Sequence, residues 1–90
     1  MNFNMTNRAY QRGAAKERRI CKRKKMEGFE IAQRTAGSHS PFDVIAIEPK
    51  TKVIKLIQSK PPSLSETKRQ QLEAEYSHLN GVYDVTFEVE

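Results

Sequence analysis

The spacing of apolar positions changes from one stretch of this chain to the next, and each change marks an element. From Thr6, which suits an N-cap, to Glu27, small and apolar residues return every three or four positions, as on one face of a helix. Tyr10, Gly13, Ala14, Glu17, Ile20 and Cys21 form that stripe. Arg8, Arg12, Lys16, Arg19 and Arg23 form a second stripe that is wholly basic. Residues 1–5 read as a frayed end, and Gly28 suits the position just past a helix C-terminus. Residues 29–34 then read as a short strand and residues 35–41 as a loop. Residues 43–48 (Asp-Val-Ile-Ala-Ile-Glu) are apolar on both faces, as a central strand should be. After the turn Pro49-Lys50-Thr51-Lys52, residues 53–59 form another apolar strand, so the two pair as a hairpin.

Pro61 and Pro62 end that strand. Ser63 and Glu66 match a capping box for a helix reaching about Leu79, with an apolar stripe of Leu64, Leu72, Tyr76 and Leu79 closed by Asn80-Gly81. Residues 82–89 alternate strictly: Tyr83, Val85, Phe87 and Val89 point one way, Asp84, Thr86 and Glu88 the other. That is the pattern of a half-exposed strand. The predicted order is α-β-β-β-α-β, an α/β fold in one domain over residues 1–90.

Composition narrows the functional classes. The chain is 37% apolar and 30% charged, which suits a folded globular protein better than a disordered one. No apolar run approaches the roughly 20 residues of a membrane span. The N-terminus carries no signal-peptide pattern, so an intracellular, cytoplasmic location is expected. A single cysteine, Cys21, excludes an internal disulfide, and with only His39 and His78 beside it a zinc centre is not expected either. Cys21 reads as a small packing residue.

The net charge of +5 is unevenly spread. Residues 1–25 carry nine Lys and Arg against Glu17 alone, whereas residues 61–90 carry two against six acids. Such a concentration on one helix attracts polyanions. Without a bulky apolar face beside it, nucleic acid is the expected partner and a membrane is not.

Glu17 is the anomaly on the inward stripe, because a buried carboxylate is costly unless it is paired or metal-bound. It reads either as a salt bridge to a nearby arginine or as a ligand. Asp43 starts a buried strand after a Gly-Ser-His-Ser loop, and Gln58 and Lys60, two residues apart, share a face at the end of the next strand. An antiparallel hairpin gathers Asp43, Gln58 and Lys60 at one rim of the sheet, and the first helix packed on that sheet would bring Glu17 to it. Two acids, a neutral oxygen donor and a lysine suit Mg²⁺, a hard cation that takes oxygen ligands. In such a site the ion polarises a scissile phosphate and acidifies the attacking water, and Lys60 offsets charge building on the phosphate.

With those residues in place, the chain resembles the PD-(D/E)xK nuclease superfamily. Pro41-Phe42-Asp43 matches the first half of its signature and Gln58-Ser59-Lys60 the second. Arg12-Gly13-Ala14-Ala15-Lys16-Glu17-Arg18 resembles the R-x-G-x-x-x-E-R opening of archaeal Holliday-junction resolvases, and residues 34–46 resemble their run ending S-P-x-D-V-I-A. The resemblance spans residues from about 8 to 88. The compact VRR-type nucleases, with a similar helix after the lysine, are the competing relative.

The resemblance implies a restriction-endonuclease-like core, a mixed central sheet flanked by helices, and Mg²⁺-dependent cleavage of DNA by a homodimer, with Mn²⁺ as a substitute ion. By the same resemblance Glu17, Asp43, Gln58 and Ser59 make up the metal site, and Lys60 is the catalytic lysine. Ser38 or Ser40 assists from the loop. DNA contacts are expected from Arg8, Arg12, Lys16, Arg19 and Arg34. His39 is placed either on the scissile phosphate or as a solvated loop residue. Two departures stand out. Gln58 replaces the family's usual acid, which removes one negative charge and weakens the hold on the metal. The chain is also shorter than typical resolvases, so the surfaces that grip a four-way junction are expected to be reduced. The rival expectations are a nucleic-acid-binding module that no longer cuts and a basic structural protein such as a small ribosome component.

Overall fold

The computed structural model describes residues 2–35, 40–83, 85, 86 and 89, with side chains described from residue 11 onward. Its order is a helix, three strands and a second helix, a mixed α/β arrangement. The chain divides into two compact units, residues 1–59 and 60–90.

In the first unit, helix α1 spans Asn2–Met26. It begins before the expected cap at Thr6, which lies inside the helix. No proline or glycine occurs among residues 2–12 to stop a helix from propagating outward. At the other end, the amide of Phe29 donates to the carbonyl of Lys24 at 3.0 Å and that of Gly28 to Lys25 at 3.1 Å. These two bonds are a Schellman motif with Gly28 as its left-handed residue, at φ 109°. A Cβ at residue 28 would find space, its nearest neighbour being Glu48 Oε2 at 4.0 Å. Gly28→Ala is therefore expected to destabilise through backbone strain alone, by about 1–2 kcal/mol, measurable by thermal denaturation.

The motif explains why β1 is shorter than the sequence suggests. It takes up Phe29, and the strand runs only Ile31–Arg34. Strand β2 spans Val44–Glu48 and β3 spans Val53–Ile57. The sheet order is β1-β2-β3, with both described pairings antiparallel. The expected hairpin of β2 and β3 is present, with Val44 opposite Ile57 and Glu48 opposite Val53. Lys50 N–H donates to Glu48 Oε1 at 2.9 Å in its turn.

Helix α1 packs across β1 and β2. The core beneath it is small: Ala14 and Ile20 from the helix, Ala32 from β1, and Val44 and Ala46 from β2 are buried. Alanines on both sides let the helix lie close to the sheet. Of the expected helical stripe, Ala14 and Ile20 are buried, Glu17 and Cys21 are half-buried and Gly13 is exposed. Near the helix end, Phe29 has Lys24 Nζ at 5.8 Å and Lys55 Nζ at 5.5 Å from its ring centroid. These cation–π contacts tie the helix terminus to β3.

In the second unit, helix α2 spans Glu66–Tyr76 and is followed by a 3₁₀ turn at Ser77–Leu79. Its cap is Ser65, whose side chain accepts from Lys68 N–H, and not Ser63. Leu64 N–H closes a turn on Pro61 O at 3.0 Å, and that turn holds Ser63 away from the helix start. The expected final strand is not formed among the described residues of its span: Val82, Tyr83, Val85, Thr86 and Val89 lie in no strand. Asp84, Phe87 and Glu88 lie outside the described residues. Alternation makes a strand only where a ladder partner satisfies the backbone, and the described sheet ends at β1 and β3. For the same reason the sheet is antiparallel in its described part where a mixed one was expected. No helix among the described residues is long and apolar enough to cross a membrane.

Candidate metal and phosphodiester site

Asp43 sits where the loop enters β2, and its surroundings fix it from three directions. Its carbonyl accepts from Thr35 N–H at 3.1 Å, on the β1 side. Its own N–H donates to Ile57 O at 2.7 Å, on the β3 side. Ile57 already has Val44 as register partner, so two consecutive residues face one, the offset of a β-bulge. Bulges re-aim side chains, and here the Asp43 carboxylate reaches past Gln58. Its Oδ2 accepts from Ser59 N–H at 2.7 Å. One bond to residue 57 and one to residue 59 bracket Gln58 beside Asp43. The other carboxylate oxygen, Oδ1, and the half-buried Gln58 amide make no hydrogen bond with a described residue.

The neck of the loop supports this placement. Thr35 Oγ1 donates to Phe42 O at 2.6 Å. Ser40 Oγ donates to the same carbonyl at 2.9 Å and accepts from Phe42 N–H at 3.1 Å. The Ser40 hydroxyl, expected to assist chemistry, is thus engaged in shaping the turn that delivers Asp43. Ser38 and His39 lie outside the described residues.

Glu17 projects from α1 to Arg34, whose Nε donates to Glu17 Oε1 at 2.9 Å. The side chains are 19% and 29% exposed, so the pair is shielded from bulk water. The salt-bridge reading of Glu17 is what the geometry shows, with an arginine from β1 as its partner. Arg34, expected on nucleic acid, is committed to this contact. Arg34 also pairs with Val44, the residue after Asp43. Glu17 therefore stands at the same end of the sheet as Asp43 and Gln58. Lys60 opens the second unit, directly after Ser59 in the chain.

Among the described residues no group of three or more His, Cys, Asp or Glu is gathered as a metal centre. The donors at the Asp43 rim are instead hard oxygens: the open Asp43 Oδ1, the Gln58 carbonyl and the oxygens of Ser59, with the second Glu17 oxygen at the same end. That chemistry suits Mg²⁺ or Mn²⁺ and not a soft or imidazole-seeking metal.

The basic charge lies along α1, whose C-terminal end sits near Glu48, at the other end of β2 from Asp43. Arg23 and Lys24 are paired with Glu27 at 3.7 and 3.1 Å. Arg12, Arg18, Arg19, Lys22 and Lys25 make no ion pair with a described residue. The Arg8 side chain lies outside the described set, and Lys16 is half-buried with a partner of its own. No local pattern signals the Thr35 and Ser40 clamp or Phe29 between two lysines, since both depend on how distant segments meet. No family model, curated protein or solved structure matches the chain.

Proposed function

We propose that this chain is a metal-dependent DNA endonuclease with a restriction-endonuclease-like core, acting on branched or duplex DNA as a homodimer. The observation that carries the reading is the double anchoring of Asp43, by Ile57 O on its backbone and Ser59 N–H on its carboxylate, which sets an open carboxylate oxygen beside Gln58. The Gln58-Ser59-Lys60 triplet and the Arg12 to Arg18 motif add the resemblance to junction resolvases. Asp43, Gln58 and Ser59 would hold the ion, with Glu17 contributing where its pairing with Arg34 leaves an oxygen. When bound, Mg²⁺ supplies Lewis-acid polarisation of a phosphodiester and a more acidic water. Asp43 orients the donors, Lys60 offsets charge on the phosphate being cut, and Arg12 and Arg19 hold the flanking backbone.

The second reading is a nucleic-acid-binding module that does not cut. It is favoured by Gln58 in place of an acid and by the commitment of Glu17 to Arg34. Titration with Mn²⁺, followed by calorimetry or by the ion's magnetic resonance, separates the two. A saturable site that disappears in Asp43→Asn is expected. Mn²⁺ binding that is absent, or unaffected by that substitution, would transfer the assignment to the binding module.

A further inference from the structure

Arg18, Cys21, Lys22, Lys25 and Met26 line a hollow of about 480 Å³ along one flank of α1. Their spacing of three and four residues makes them neighbours on the helix surface. Arg18, Lys22 and Lys25 are exposed, and none forms an ion pair with a described residue. Like charges at this spacing repel, and no acid among the described residues offsets them. Between the cations Cys21 is half-buried, and Met26 is 80% exposed.

We infer that this hollow is a second backbone-contact site for nucleic acid, separate from the Asp43 rim and resting on the nucleic-acid reading above. Arg18 to Lys25 covers about 10.5 Å of helix axis, a length over which duplex DNA carries roughly six phosphate charges. Three uncompensated cations beside the half-buried Cys21 therefore match a run of phosphates. A membrane surface fits less well, because beyond residue 10 Met26 is the exposed large apolar residue of α1 among those described, and interfacial helices bury a broad apolar face.

Cys21, the only cysteine, is a built-in reporter. The test uses the full chain with EDTA present, so that binding is read without cleavage. Binding to a labelled duplex is measured across a salt series for the parent and for the triple variant Arg18→Gln, Lys22→Gln, Lys25→Gln. Alkylation of Cys21 in the parent is followed with and without saturating duplex. All three replaced side chains are exposed, and circular dichroism verifies the fold. The expected result is at least about tenfold weaker binding, a salt slope reduced by roughly 0.9 per cation removed, and protection of Cys21 by duplex. Unchanged affinity and slope, with Cys21 equally reactive in the complex, would overturn this site and leave the proposed function standing. A parent protein that binds no DNA at low salt would overturn both readings. So would one that binds anionic phosphatidylserine vesicles in preference to DNA.

Discussion

Replacing Asp43 with alanine is expected to lower metal-dependent cleavage by at least about 100-fold, the upper range seen when groups supporting a metal site are lost. Most of the affinity for DNA should survive, because the unpaired cations of α1 are untouched. Alanine also removes the bond from Ser59 N–H, which contributes on the order of 1 kcal/mol. Asp43→Asn separates the two effects, since the amide oxygen still accepts from Ser59 while the charge is gone. Both variants should lose cleavage, and only the alanine variant should lose appreciable stability. Lys60→Ala is expected to cost about 10²–10³ in rate, as removal of one stabilising donor does elsewhere. Single-turnover cleavage beside a binding isotherm measures each quantity. An Asp43→Asn protein that cuts at the parent rate would show that the rim is not the site.

The second large effect concerns Glu17 and Arg34. Removing Arg34, as in Arg34→Met, leaves a shielded carboxylate on α1 without its partner at 2.9 Å. A loss of about 1–3 kcal/mol is expected, equivalent to a Tm decrease of roughly 4–8 °C per kcal/mol in a protein of this size. Glu17→Gln should cost less, because Arg34 can turn to water. The double-mutant cycle yields the coupling energy directly. Mn²⁺ affinity in the same variants assigns the second Glu17 oxygen. A ligand role predicts weaker binding in Glu17→Gln and unchanged or tighter binding in Arg34→Met. An Arg34→Met protein as stable as the parent would mean that the pair does not hold α1 to the sheet.

Most of the first unit was legible in the sequence because its signals are local. Two apolar runs on either side of Pro49-Lys50-Thr51-Lys52 encode the hairpin, and Gly28 encodes the helix end. Local signals also misled where two candidates compete. Thr6 offers a cap to a helix that begins earlier, and Ser63 offers one that the turn on Pro61 passes to Ser65. The alternation of residues 82–89 states which faces a strand would show but not whether a partner edge exists. Of the candidate site, the meeting of Asp43 with the Gln58 end followed from the hairpin alone. The bulge at Asp43, the Thr35 clamp and the choice of Arg34 for Glu17 did not, because each joins residues brought together only by the antiparallel sheet or by α1 packing on it.

Whether the parent protein cuts DNA separates an endonuclease from a binding module. The decisive measurement is incubation of a labelled four-way junction, a linear duplex and a single strand with Mg²⁺ or Mn²⁺, against EDTA. Metal-dependent scission, placed symmetrically on two opposed strands of the junction, is the predicted result. Tight binding to the junction with no scission under either metal would contradict the nuclease assignment.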